Sequence, residues 1–536
     1  MCQSLDTSKM SSDMIMNDPN NKNENDRWIK FLDISMPTPK LGDNIADVDR
    51  LVRQIKRTIN TEVLTIPFPL VKKLPSFLRE HKYRCSVVSY RNKEGWRIID
   101  VYPPGDNMHV YAVAVDLGSS TVVIRILDII TGESLDEVSF TNPQYKVGSD
   151  ILSRIHFASE NNGIDYLQEI LIKKINEQLE VIKKRLNIKT TEIVGLAAAG
   201  NTAMTHFFLD LNPFWVCREP YIPVINSPDI IAPADIGIDI NPEAPVVVVP
   251  GAGSYLGGDV IAGVLASGMN KKNDACLLVD VGTNAEVVLG KNEWLMACAG
   301  AAGPALEGGV AAMGMMAGPG AIDKVVIDRE SKDIHFNTIG GGSPTGICGS
   351  GLIDLVAHLY LSGMIDLRGQ FNKDACAGRI IDIDGIENLV VVSGSDTESE
   401  KDLYLSQIDI NALIRSKAAM YTILNTITGM ANINIHEIDQ FYIAGTFGAY
   451  IDPVSAISLG MIPDLPLDKY VSVGNTSIEG VSMVLLSYEN LKEIYRIRDM
   501  ITYIELNVNQ EFMNNFSAAK FIPHTDRSLF PSVTQS

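Results

Sequence analysis

Hydrophobic positions change their period several times along the chain, and each change predicts an element. Residues 1–26 (ending N-D-P-N-N-K-N-E-N-D) cannot bury a core, which predicts a disordered tail. Residues 27–109 read as a separate small unit. It opens with an extended stretch, W-I-K-F-L-D-I-S-M-P-T-P. A helix follows over 45–59, with Ala46, Val48, Leu51, Val52 and Ile55 on one face and Arg50, Arg53, Lys56 and Arg57 on the solvated side. The strand-like runs C-S-V-V-S-Y and W-R-I-I-D-V-Y come next, and P-P-G-D-N marks a boundary. Beyond it, strands and helices alternate. An amphipathic helix spans 164–186, with Leu167, Leu171, Ile175, Leu179, Ile182 and Leu186 in register. Strands are predicted at E-I-V-G-L-A-A-A-G, P-V-V-V-V-P and F-Y-I-A-G, and helices at 351–363 and about 409–430. This alternation predicts an α/β fold with ligands at the ends of the strands.

One pattern occurs twice. Residues 111–127 read Y-A-V-A-V-D-L-G-S-S-T-V-V-I-R-I-L, and 275–290 read A-C-L-L-V-D-V-G-T-N-A-E-V-V-L-G. Each is a buried-looking strand, an Asp-x-Gly turn with small polar residues, and a second apolar strand. Asp116 and Asp280 occupy equivalent places. A hairpin with a glycine turn can aim backbone N–H groups at a phosphate, and the Asp beside it can hold a magnesium ion. A single Asp-x-Gly turn is common, but two matching copies point to a nucleotide-phosphate site.

Composition narrows the class. The net charge is −20 over 536 residues, which argues against a nucleic-acid partner. No apolar run approaches the ~18 residues of a membrane span, so no membrane association is expected. The N-terminal residues show no secretory pattern, which predicts a cytoplasmic location. The seven cysteines form no C-x-x-C and match no zinc or iron–sulfur spacing, so no iron–sulfur cluster is expected. Cys348 lies in a Gly-rich turn, G-I-C-G-S-G, and reads as turn filler. A tract at 299–321 is rich in Gly and Met. Its Met313, Met315 and Met316 have two readings, core gap-fillers or an adaptable contact surface.

Two Asp-x-Gly hairpins followed by a late A-G-T-F-G turn resemble the actin-like ATPase superfamily. The strings V-D-L-G-S-S-T-V-V, T-N-P-Q-Y with D-I-L-S-R-I, A-A-A-G-N-T-A-M-T-H, G-G-D-V-I-A-G, L-L-V-D-V-G-T-N-A-E, A-G-P-A-L-E-G-G, F-Y-I-A-G-T-F-G-A-Y-I-D-P and V-G-N-T-S-I-E-G are similar to one branch, the ATP-dependent reductive activators of corrinoid proteins. The resemblance covers nearly all of the chain beyond residue 26. It implies an actin-like (ribonuclease H-like) two-lobed ATPase. Lobe one would span about 110–270 and lobe two 271–536, preceded at 27–109 by a linker and small α+β middle domain. It implies ATP and Mg²⁺ between the lobes, with Asp116 and Asp280 holding the metal and Asp280 or Glu286 orienting water. Gly118, Ser119, Ser120, Thr121, Gly282, Thr283 and Asn284 would line the phosphates. Asn201, Glu307, Gly308, Gly445, Thr446 and Gly448 would complete the nucleotide site.

The activity implied is reduction of cobalt(II) to cobalt(I) in a corrinoid protein, driven by ATP, with a homodimer as the assembly. One departure stands out. Members of the branch typically carry a [2Fe–2S] ferredoxin domain, and C-x₄-C-x₂-C is absent from this sequence. The electron is therefore expected from a separate donor such as a ferredoxin. The other readings are a nucleotide-gated scaffold or chaperone for a metalloprotein, and a small-molecule kinase of the same superfamily.

Overall fold

A computed structural model describes residues 26–105, 109–160, 162–282, 285–300, 311–376, 378–397, 399–445, 451–506 and 510–533, with Gln510, Glu511 and Asn514 described by backbone only. The predicted tail, up to residue 25, lies outside them. The chain divides into two compact units, Met1–Ala266 with Ser477–Asp499, and Ser267–Thr476 with Met500–Ser536.

The first unit opens with a four-stranded sheet of β1 (Ile29–Ser35), β2 (Leu64–Thr65), β3 (Arg84–Arg91) and β4 (Trp96–Tyr102), in the order β1-β3-β4-β2. The predicted helix is Asp47–Ile59, which buries Leu51 and Ile55. Arg50 is not on its solvated side. It is 7 % exposed and donates to Asp43 Oδ2 at 2.5 Å. A short-range carboxylate partner makes burial of the guanidinium affordable, a partner that helical periodicity does not show. A second helix, Phe68–Glu80, where no element is predicted from the sequence, tolerates Pro75 inside it. Leu70, Leu74 and Leu78 at four-residue spacing anchor it to the core with Val87 and Ile98.

A five-stranded sheet follows, of β5 (Tyr111–Leu117), β6 (Thr121–Asp128), β7 (Ser134–Thr141), β8 (Ile193–Gly200) and β9 (Val246–Val248). The order is β7-β6-β5-β8-β9. β5, β6 and β7 are antiparallel, while β8 runs parallel to β5 and to β9. The helix Gly163–Leu186 packs its predicted leucine and isoleucine stripe on this sheet.

In the second unit, β10 (Cys276–Val281), β11 (Ala285–Lys291) and β12 (Trp294–Gly300) lead into two small sheets. One holds β13 (Ala321–Ile327), β14 (Ile334–Thr338) and β15 (Gly346–Ile347), the other β16 (Ile380–Ile383), β17 (Ile386–Val392) and β18 (Leu403–Ser406). The chain then supplies β19 (Gln440–Ala444), β20 (Tyr470–Gly474) and β21 (Ile501–Ile504). The main sheet runs β20-β19-β10-β11-β12-β21. From β12 to β20 it repeats the first unit's order and directions: two antiparallel hairpin pairs, then two parallel strands. This is the duplicated α/β topology that the sequence implies.

The predicted helices appear as Gly349–Leu361 and Gln407–Met430. Cys348 stands at the N-cap of the first, buried, with its Sγ 3.3 Å from the Ile322 carbonyl. Met313 is buried in the core beside Ile322 and Ile347. Met316 is 64 % exposed, so the gap-filling reading fits Met313 and not Met316. Residues 301–310 of that tract lie outside the described residues.

One buried acid makes this unit sensitive to pH. Asp354, on helix Gly349–Leu361, has a buried Oδ1 with no hydrogen-bond partner among the described residues. Burial pushes its carboxyl up to about 6, opposed by a hydrogen bond from Ser455. The folded state thus holds the proton more tightly than the unfolded chain, where an Asp titrates near ~3.9. The resulting stability is fully present below that value and is lost as pH rises through about 6. Asp354→Asn is expected to melt at a higher temperature than the parent at pH 8 and to gain nothing at pH 4. An equal shift at both pH values would rule out ionisation as the cause.

Candidate functional site

Strand alternation places both key aspartates. The four residues before each aspartate, Ala112–Val115 in β5 and Cys276–Val279 in β10, are buried, and Asp116 and Asp280 are each half-buried at the penultimate position. Each lies beside the end of a parallel strand: Asp116 next to Ala199 of β8, and Asp280 next to Ala444 of β19. A glycine follows at the next residue in each case, Gly200 as the last residue of β8 and Gly445 just after β19. The two halves of the chain therefore build the same strand-end arrangement.

In the first unit, Gly118 opens the turn after β5. A Cβ there would fall 2.2 Å from the Thr121 carbonyl oxygen, so the hairpin closes only around glycine. Ser119, Ser120 and Thr121 are half-buried at its tip. Asn142 Nδ2 donates to the Gly118 carbonyl at 3.0 Å, and Arg154 Nη1 to the Ser119 carbonyl at 2.7 Å. Ser477 Oγ donates to Asp116 Oδ1 at 2.8 Å, which fixes one carboxylate oxygen. The helix Thr476–Leu486 that carries Ser477 is held on β6 by Arg125, whose Nη2 meets Glu479 Oε1 at 2.7 Å. Asn201 caps the helix Thr202–Phe208, its Oδ1 accepting from Met204 N at 2.9 Å. The start of the helix Gly258–Ser267, in the G-G-D-V-I-A-G string, packs against it, with a Cβ on Gly257 falling 2.4 Å from Asn201 Cα.

In the second unit, Asp280 faces Glu286 directly across the β10–β11 pair. The matching partner of Asp116 is Val123, so the two hairpins are alike in shape and unlike in charge. Opposed like charges destabilise a sheet, and a cation between them relieves this. Gly445 has φ +80°, and a Cβ on it would fall 2.8 Å from Asp280 Oδ1. Gly282 is half-buried in the turn. Thr283, Asn284, Glu307, Gly308, Thr446 and Gly448 lie outside the described residues.

The donor set suits Mg²⁺ with a nucleotide. That ion takes one or two carboxylates and fills its octahedron with water and phosphate oxygens. Among the described residues, no group of three or more His, Cys, Asp and Glu is arranged to hold a metal alone. Cys85 and Cys298 are buried, and burial pushes both thiols up to about 12, which disfavours the thiolate a metal cluster needs. No described helix is long and apolar enough to cross a membrane.

Asn142, Arg154 and Ser477 lie in the strings T-N-P-Q-Y, D-I-L-S-R-I and V-G-N-T-S-I-E-G, but nothing local in the sequence marks their roles. Their partners are 24, 35 and 361 residues away, and no local spacing signals such contacts.

Three family models cover the chain in order: the RACo linker region over 23–108, the RACo middle region over 111–272, and the C-terminal ASKHA domain of RACo over 274–534. The corrinoid activation enzyme RamQ of Eubacterium limosum is 31% identical over 485 residues, 88% of this chain and 79% of the relative. A [Co(II) methylated amine-specific corrinoid protein] reductase of Methanosarcina barkeri is 27% identical over 437 residues, 76% of each chain. A solved structure of a reductive activator for a corrinoid, iron–sulfur protein superposes with TM-score 0.87 at 35% identity, covering 95% of this chain and 81% of that one. With a duplicated sheet, an aspartate at each matching strand end and relatives of this identity over most of their length, the chain belongs to the reductive activators of corrinoid proteins, the RACo family.

Proposed function

We propose that this chain is an ATPase that returns a corrinoid protein from cobalt(II) to cobalt(I). One electron from a separate low-potential donor, such as a reduced ferredoxin, enters the cobalt. Hydrolysis of ATP by water to ADP and phosphate supplies the free energy. For one electron, each ~59 mV of unfavourable potential costs about 1.4 kcal/mol, so an uphill reduction needs such a source. The observation that carries the reading is the pair of aspartates at equivalent strand ends, one of them opposed by Glu286. Mg·ATP is the ligand proposed for the hairpins. Asp116 and Asp280 would hold Mg²⁺, which neutralises phosphate charge when bound. Backbone N–H groups and hydroxyls of the Gly118–Thr121 turn would position phosphate oxygens, and Asp280 or Glu286 would orient the attacking water. Such a site works by positioning and charge rather than by covalent chemistry. The corrinoid protein is the partner, and a homodimer is the assembly that fits the family.

The test is anaerobic. The full chain is mixed with a purified cobalt(II) corrinoid protein, a reduced ferredoxin and Mg·ATP, and cobalt(I) is followed by its optical spectrum. Cobalt(I) is expected only when ATP and donor are both present, with ATP turnover raised by the corrinoid protein. Turnover raised by a sugar or organic acid instead would make the chain a kinase. ATP binding with no response to any corrinoid protein would make it a scaffold.

A further inference from the structure

The first phosphate hairpin is not held by its own turn alone. Three consecutive carbonyls, those of Gly118, Ser119 and Ser120, accept hydrogen bonds from outside it. Asn142 Nδ2 reaches the first at 3.0 Å, Arg154 Nη1 the second at 2.7 Å, and the Asn142 backbone N the third at 2.8 Å. In a trans peptide the carbonyl and the following N–H point in opposite directions. Fixing these carbonyls toward Asn142 and Arg154 therefore turns the N–H groups of Ser119, Ser120 and Thr121 the other way. Successive N–H groups held in a turn form an anion-binding concavity.

The two anchoring residues are themselves rigid. Asn142 is fully buried and caps the following turn, its Oδ1 accepting from Gln144 N at 2.9 Å. Arg154 is fully buried on the helix Ile151–Ala158, and its Nε donates to the Gly148 carbonyl at 2.8 Å. Its partners are carbonyls and the Met204 sulfur rather than a carboxylate, and its buried Nη2 has no hydrogen-bond partner among the described residues. An arginine stays protonated in such a place. A fixed positive charge thus stands behind the loop, where an anion in front of it gains from the charge.

We propose that Asn142 and Arg154 are positioning residues for the nucleotide's phosphates, turning the Gly118–Thr121 loop into a phosphate nest and backing it with charge. This rests on the reading of the hairpin as a phosphate site. Neither residue touches the phosphate. They act through the loop's peptide planes, which explains why an arginine that meets no carboxylate is kept in the interior.

The test compares the full-length parent with Arg154→Gln, Arg154→Lys and Asn142→Asp. The last keeps the cap acceptor and removes the donor to Gly118. Affinities for Mg·ATP, for inorganic tripolyphosphate with Mg²⁺ and for adenosine are measured by calorimetry and competition. R154Q and N142D are expected to weaken ATP and tripolyphosphate at least tenfold with adenosine unchanged, and R154K to recover part of the loss. Adenosine weakened equally would mean a general structural lesion and overturn the proposal, as would parental tripolyphosphate affinity in both variants. If R154Q does not fold, N142D and R154K carry the same comparison. A parent that binds neither ATP nor tripolyphosphate overturns the nest together with the proposed function. A parent that binds both, loses them in the variants and ignores every corrinoid protein leaves the nest standing and removes only the corrinoid role.

Discussion

Asp280→Asn is expected to lower ATP turnover by about 10²–10⁴-fold, the range for loss of a positioned acid–base group. It should do so without loss of stability. The carboxylate is half-buried at a strand end and faces Glu286 across the β10–β11 pair. Asparagine keeps the shape and removes one of two opposed charges, a change worth a gain of about 0.2–1 kcal/mol in the sheet. Glu286→Gln should gain stability in the same way. The two variants then part company in turnover: the larger loss identifies the group that orients water. Both quantities come from the same preparations, by steady-state phosphate release and thermal melting. Parental turnover in both variants would remove this strand pair from the chemistry, and a marked fall in melting temperature would show that the carboxylate holds the fold.

Arg125→Met should cost about 3 kcal/mol of stability. The Arg125 side chain is 10% exposed and meets both Glu479, at 16%, and Glu137, at 46%. Breaking a buried ion pair on one side leaves the other charge uncompensated, for which about 3–5 kcal/mol is typical. Partial exposure of the glutamates puts this pair at the lower end. Arg125→Met with Glu479→Leu should recover much of the loss, because the orphaned charge goes too. The variant should also bind Mg²⁺ with nucleotide less well. Glu479 and Ser477 share one helix, and Ser477 fixes Asp116 Oδ1 at 2.8 Å. Denaturant unfolding gives the first number and calorimetry the second. R125M as stable as the parent would mean that solvent replaces the pair without cost.

Much of the fold was legible because its signals are local. The stripe from Leu167 to Ile182 has one helical period, and the runs that became β5, β8 and β10 are mostly apolar. The repeated Asp-x-Gly was legible for the same reason, since one strand and one turn set each aspartate. Arg50 was misplaced because its partner, Asp43, precedes the helix, outside any helical period. Helix Phe68–Glu80 was passed over, although Leu70, Leu74 and Leu78 recur at four-residue spacing and their burial outweighs the backbone bond lost at Pro75. The three residues that brace the first hairpin were illegible in role. A side chain that supports a loop from 24 to 361 residues away has no sequence period to announce it.

The return of residues 477–499 to the first unit has a consequence for how the protein is made. The N-terminal unit emerges from the ribosome first, yet its last two helices are translated only after the roughly 210 residues of Ser267–Thr476. At a synthesis rate of about 5–20 residues per second, that is a wait of roughly 10–40 s. Through it, Arg125 lacks Glu479, Asp116 lacks Ser477, and Trp28 lacks the Val484 carbonyl that its ring N–H meets at 2.8 Å. The later-translated unit is interrupted only by the short excursion before Met500, so it closes at nearly the same moment. Neither half is a natural fragment, and a nascent chain stalled before residue 477 presents to chaperones a first unit with its strands in place but without these helical partners.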